Sequence, residues 1–257
     1  MKVVAVIQAR MGASRLPGKM LMDIAGKPAV QWVVERAQMS KLITQVVLAT
    51  TIAPADEQLA QWAQSFGVAC YRGSEADVLD RYYQAVKSTG AQAVVRITGD
   101  CQLSDYQVID AVIQKYIDGS GAYSYVSNVH PPTYPDGFDT EVFSFTALER
   151  AWHEAQLASE REHVTPYIWK HPELFPAYNV AHATDLSNYR LTLDTAEDLD
   201  LIRRVMRECL SRGGYCGLTE VIDILTAHPD WLKINSQYER NEGYAQSLAQ
   251  DQVSGCQ

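Results

Sequence analysis

Directly after its first apolar run, the sequence VVAVIQARMGASRLPGKML sets Arg10, Arg15 and Lys19 among Gly12, Pro17 and Gly18. Guanidinium groups grip phosphate oxygens in pairs, and an ammonium adds a compact positive charge. A glycine-containing turn between a strand end and a helix also leaves backbone N–H groups free to meet an anion. The chemistry such a turn suits is polyphosphate binding. It is not a Walker-type loop, because five residues separate Gly12 from Gly18 and Met20 follows Lys19 where Ser or Thr would hold magnesium. A GxGxxG dinucleotide fingerprint fits worse. A metal for the phosphates must therefore be held from elsewhere. The competing reading is a solvated basic turn that only redirects the chain.

Two carboxylates are placed to hold that metal. Asp100, in VVRITGDC, follows a buried-strand candidate, and Gly99 lets the backbone turn there. Mg²⁺ takes one or two carboxylates together with phosphate oxygens. The alternative role for Asp100 is to cap the following turn. Asp194, in YRLTLDTAEDL, is the second candidate. Thr195 and Asp198 match a helix capping box, which explains those two residues and leaves Asp194 to point back over the strand end. Capping and metal binding both remain open for it.

These residues need strand ends that meet at one edge. Val3–Ile7, QVVLAT, VACYRG and AVVRI read as strands. Between them lie helical spacings: Val30, Val33, Val34 and Ala37; Leu59, Trp62, Ala63 and Phe66; Val78, Leu79, Tyr82 and Val86. DYQVIDAVIQKYIDG is a further amphipathic helix. Strand–helix alternation predicts βαβ units, a mainly parallel sheet and helices on both faces over residues 1–125. Ligands collect at the carboxyl edge of such sheets. Residues 126–235 are less regular. HPPTYPDGFDTEVFSF reads as a long loop plus a strand, PAYNVAH and YRLTL as strands, and TALERAWHEAQ, TAEDLDLIRRVMRECLSRG and LTEVIDILTAHP as helices. From Ser236 to residue 257 the sequence reads as a polar tail. A single domain accounts for this organisation better than two.

Composition narrows the function class. The chain has 257 residues and a formal net charge of −9, against the basic surface expected of a nucleic-acid-binding protein. No stretch approaches the roughly 18 apolar residues of a membrane span. Val3–Ile7 lacks a basic leader and a small-residue cleavage site, so it reads as a strand and not a signal peptide. The five cysteines form no CxxC pair and no disulfide-like framework, which suits a reducing cytoplasm. The histidines have no ligand spacing, so no zinc site is expected. His163, beside Val164, reads as a packed or capping residue.

Six segments in order, IQARMGASRLPGKML, RGSEADVLDRY, RITGDC, YPDGFDTEVFS, SEREHVTPYI and LTLDTAEDL, resemble the spore-coat-polysaccharide type of cytidylyltransferase. That group is similar to the acylneuraminate and KDO cytidylyltransferases. The resemblance implies a nucleotide-diphospho-sugar transferase fold, a GT-A-like and Rossmann-like α/β architecture, spanning residues 1–235. It implies transfer of CMP from CTP to an acidic sugar, with Mg²⁺ as cofactor and release of pyrophosphate, in surface polysaccharide or glycan synthesis, and a homodimer.

Carried over by position, Arg10 and Lys19 grip phosphates with Arg15 assisting, Asp100 is the main magnesium ligand and Asp194 the second. Ala9, Gly12, Thr50, Thr51, Arg72 and Ser74 fall to the nucleotide. For the sugar, Tyr134, Asp136, Asp139 and Glu141 are candidates for its hydroxyls and Arg161 for an acidic group. The chain has Gln102 where the wider family has proline after GDC, and QAR where the sialate and KDO enzymes read PAR. Other readings on the same fold are a guanylyl- or uridylyltransferase, or a glycosyltransferase, whose DxD pattern occurs at Asp198–Asp200 but inside a helical stretch. A regulator that only binds the nucleotide would not need both carboxylates.

Overall fold

Both faces of the first strand are buried. In β1 (Val3–Gln8), Val3, Ala5 and Ile7 join one hydrophobic cluster while Val4 and Val6 join another. That is the pattern of a central strand covered on both sides, where β-branched residues pack on either face of the pleat. In the computed structural model, which describes residues 1–254, the same pattern repeats in β4 (Gln45–Thr51) and β6 (Ala93–Thr98).

Chain order gives β1, a two-stranded hairpin of β2 (Asp23–Ile24) and β3 (Lys27–Pro28), then α1 (Ala29–Gln38), β4, α2 (Glu57–Phe66), β5 (Ala69–Gly73), α3 (Val78–Val86), β6 and α4 (Tyr106–Asp118). The second half holds β7 (Tyr125–Ser127), β8 (Glu141–Ser144), α5 (Phe145–Glu154), α6 (Ala158–His163), α7 (Pro166–Lys170), β9 (Ala177–Asn179), α8 (Ala196–Ser211), α9 (Leu218–Ala227) and α10 (Glu242–Ser254). Seven strands make one sheet in the order β5-β4-β1-β6-β8-β7-β9. The β5-β4-β1-β6 portion is parallel, as the strand–helix alternation predicts. β8 enters antiparallel to both β6 and β7, so the sheet is mixed. β7 straddles residue 125, and the two halves of the chain share this sheet.

One hydrophobic cluster lies between the sheet and α1, α2 and α4, a second between the sheet and α3, α5 and α7. A third joins α8 and α9 to the hairpin and to the loop that carries Phe138. Among the described residues, no helix is long and apolar enough to cross a membrane.

Three expectations are corrected. YRLTL does not become a strand of the sheet. Leu191 and Leu193 are drawn into the third cluster, and the backbone runs extended beside two loops, Leu191 N–H bonding Asp136 O at 2.8 Å and Leu193 N–H bonding Asp100 O at 2.9 Å. Cys209 and Cys216 are joined by a disulfide, because α8 ends in a Gly213-Gly214 turn that folds Cys216 back against its last turn. Among the described residues Cys70 and Cys101 form no disulfide, and Cys256 lies outside them. The polar stretch after Ser236 contains α10, which packs on α6: the Ser247 hydroxyl donates to Glu162 at 2.7 Å, and Ser159 N–H donates to Asp251 at 3.1 Å.

Candidate active site

β1 and β6 are neighbours in register, with Gln8 opposite Thr98, so the loops that follow them leave the same edge of the sheet. Gly99 N–H bonds Gln8 O at 2.8 Å. A Cβ on Gly99 would fall 2.8 Å from that oxygen and 2.9 Å from the Ala9 Cβ, so close approach, rather than a special turn, requires glycine there. The phosphate-type loop is fixed at both ends. Asp56 accepts from Met11 N–H at 2.6 Å and from Thr51 N–H at 3.2 Å, tying the loop to the end of β4. Gly18, at φ 76°, closes the loop with a 2.9 Å bond to Met11 O and delivers Lys19 into the cleft.

That cleft has a volume of about 370 Å³, and Ala9, Arg10, Arg15, Lys19, Asp100 and Asp194 all line it. The largely buried Lys19 ammonium lies 2.8 Å from Asp194 and 3.7 Å from Asp100, and it donates to Leu193 O at 2.6 Å. One cation thus stands against both acids. Burial works to raise the Asp194 carboxyl, but Lys19, Arg15 and Arg190 outweigh it and hold the group below its ordinary range. Thr195 and Asp198 form the expected capping box, leaving Asp194 to the cleft. Asp105, not Asp100, caps α4. Arg10 pairs with Glu75 at 2.9 Å, and Arg15 pairs with Asp194 at 3.2 Å and with Glu242 of α10.

A family profile described as cytidylyltransferase matches residues 4–218, most of the chain. The chain belongs to the cytidylyltransferase family. It is 30% identical over 235 residues to the spore coat polysaccharide biosynthesis protein SpsF of Bacillus subtilis, covering 89% of this chain and 95% of that one. It is 37% identical over 121 residues to a 3-deoxy-manno-octulosonate cytidylyltransferase of Bdellovibrio bacteriovorus, 46% of this chain and 47% of that one. The solved structure of a cytidylyltransferase from Leptospira borgpetersenii superposes with a TM-score of 0.87 at 32% identity, over 93% of this chain and 100% of that one.

The family resemblance supplies more candidate residues than the cleft gathers. Asp136, Asp139 and Glu141 line it. Tyr134 is packed in the third hydrophobic cluster. Arg161 is turned away, its guanidinium held by Asp77 at 3.0 Å and by Trp152 O at 2.7 Å. Thr50 and Thr51 are buried, and the Thr51 hydroxyl is spent on Asp56. Arg72 donates to Thr51 O at 3.0 Å and pairs with Glu57, and Ser74 accepts from Asp77 N–H at 3.0 Å. Gly12 shapes the loop without lining the cavity. In the substrate-free protein Thr51, Arg72, Ser74 and Arg161 are thus held by neighbouring groups, whereas the buried Thr50 hydroxyl has no partner among the described residues.

The cleft also contains residues the sequence did not single out: Arg96, Arg190, and from the C-terminal segment Asn241, Glu242 and Tyr244. Arg96 alternates with the apolar positions of β6 and faces Glu141 directly across to β8. Among the described residues, the buried Tyr244 hydroxyl and Arg96 Nε have no hydrogen-bond partner. His163 bonds Ser247 at 3.0 Å, so it is packed as expected, and it also lines the cavity. Burial, and then Arg96, lower its pKa to about 4, which keeps it neutral near pH 7.

Burial pushes the Asp136 carboxyl up to about 7, with the Asp139 charge adding to it, and burial raises Asp139 to about 6 against the pull of Arg240. Acids with raised folded pKa values bind more protons folded than unfolded, so they favour folding at low pH and this contribution fades as pH rises through the folded values. In substrate-free protein, Asp136→Asn should therefore raise the melting temperature more at pH 8 than at pH 5.5. An equal effect at both pH values in thermal melts would show that the acid pair is not the source.

Proposed function

We propose that the protein transfers CMP from CTP to a sugar, with Mg²⁺ and release of pyrophosphate. The observation that carries this reading is the convergence of the loop cations with Asp100 and Asp194 on one cleft, both acids standing within 3.7 Å of the Lys19 ammonium. Among the residues lining the cleft, nine are Asp or Glu and six are Arg or Lys, so a triphosphate needs a further cation to settle there. Two carboxylates that already share one positive charge supply the hard oxygen donors Mg²⁺ takes beside phosphate oxygens. When bound, the metal neutralises phosphate charge and favours the alkoxide form of an attacking hydroxyl.

The chain's own residues do the positioning. Arg10, Arg15 and Lys19 exchange Glu75, Glu242 and Asp194 for phosphate oxygens, which leaves the two acids to the metal. The sugar oxygen attacks the α-phosphorus in line with departing pyrophosphate, and the protein contributes orientation and charge more than covalent work. Asp136 and Asp139 can accept hydrogen bonds from sugar hydroxyls. For an acidic sugar, the kind named for the 3-deoxy-manno-octulosonate relative, Arg96 is a candidate cation among the residues lining the cleft.

The test presents CTP, GTP, UTP and ATP, each with Mg²⁺ and a panel of ulosonic and nonulosonic acids, and follows pyrophosphate. Release from CTP alone is expected. Equal use of another nucleotide would overturn the cytidine assignment, and the absence of magnesium-dependent CTP uptake in calorimetry would overturn the reading as a whole.

A further inference from the structure

Asp194 has three cationic partners in the substrate-free cleft, and they differ in what holds them. Lys19 takes one oxygen at 2.8 Å, while Arg15 at 3.2 Å and Arg190 at 3.3 Å share the other. Arg15 is a half-exposed loop side chain whose second partner, Glu242, is also at the surface. Arg190 is anchored from behind. Its Nε donates to Asp198 Oδ1 at 3.0 Å and a terminal nitrogen donates to Oδ2 at 2.9 Å, a two-pronged grip that fixes the plane of the guanidinium. Asp198 is fully buried. It is fixed in turn by the Asp194 and Thr195 N–H groups, both at 3.0 Å, and by the Asn235 amide at 2.8 Å.

The helix cap does not account for Arg190, because the cap is complete with Thr195, Asp198 and those backbone N–H groups. What the guanidinium adds lies on its cleft side. It reaches Asp194, it stands 3.5 Å from Asp136, and it donates to Glu239 O at 3.1 Å in the C-terminal segment. If Lys19 and Arg15 turn to phosphate, Arg190 is the partner that stays with Asp194.

We propose that Arg190, locked by Asp198, is a positioning residue that holds Asp194 oriented for the metal after the loop cations have moved to the nucleotide, and that sets the spacing between Asp194 and Asp136. This rests on the magnesium–CTP reading above. Lysine at position 190 keeps the charge but cannot make the two-pronged grip. Losing a partner that orients a metal ligand typically costs ~10–100-fold in metal affinity.

Calorimetric titration of CTP across a series of Mg²⁺ concentrations is the test. For Arg190→Lys, half-saturating Mg²⁺ should rise by roughly 10–100-fold, while CTP affinity at saturating Mg²⁺ stays near that of the wild type. Asn235→Ala, which removes the amide that holds both Asp198 Oδ1 at 2.8 Å and the Arg190 carbonyl at 3.1 Å but leaves the guanidinium in place, should shift the same quantity by a smaller factor. A purely structural role would lower the melting temperature of both variants and leave the Mg²⁺ dependence unmoved, which overturns the proposal. If Arg190→Lys does not fold, the Asn235→Ala titration decides alone. Wild-type protein that takes up CTP without regard to Mg²⁺ would remove both this proposal and the reading beneath it.

Discussion

Asp100→Ala should fold and bind its neighbours normally yet lose pyrophosphate release by ~10²–10³-fold. The structural role of this residue belongs to its backbone, whose carbonyl accepts from Leu193 N–H at 2.9 Å and survives the substitution. Its side chain is part-exposed in the cleft, 3.7 Å from Lys19, with the Cys101 thiol at the same distance. Removing a partly solvated carboxylate with so loose a set of contacts costs little stability. Removing one preorganised electrostatic partner of the transition state costs about 3–4 kcal/mol, which gives the rate loss stated. A thermal melt alongside the pyrophosphate assay separates the two effects. Wild-type release by the folded variant would take Asp100 out of the mechanism.

Glu141→Ala should instead unfold the protein readily. Glu141 is buried beside Arg96, to which it is ion-paired, and it accepts from the Tyr125 hydroxyl at 2.5 Å and the Thr165 hydroxyl at 2.7 Å. Burial alone would raise its carboxyl, but Arg96 and these two hydroxyls hold it below its ordinary range. Alanine there leaves the Arg96 charge without compensation in the interior and two hydroxyls without an acceptor. Breaking a buried pair from one side costs about 3–5 kcal/mol. For a chain of this size that is on the order of 10 °C in melting temperature. Glu141→Gln keeps an acceptor for one hydroxyl and should lose less. A Glu141→Ala melt within a degree or two of the wild type would show that the pair is solvated, and would return Glu141 to the sugar as its main partner.

The division between what was legible in the sequence and what was not follows the range of the interactions. Short continuous apolar runs gave β1, β4 and β6, because burying both faces of a strand leaves its mark on adjacent residues, and apolar residues three and four apart gave the helices between them. The loop cations, Asp100 and the Thr195–Asp198 cap were likewise readable, since each is set by residues within a few positions in the chain. Pairing partners distant in sequence left no such mark. Arg161 and Arg72 have the chemistry to meet a substrate, but Asp77 lies 84 positions from Arg161, and only the folded chain shows that it claims that guanidinium. The polar stretch after Ser236 has no apolar face to announce a core element, yet it docks through Ser247 and Glu242 and walls the cleft, because polar partners on α6 and the loop await it. By itself the sequence determined the strand edge and the charges carried there. Which of those charges face a shared cleft, and which are consumed by neighbours, was decided by tertiary structure, since a side chain's free valence depends on the groups that packing brings beside it.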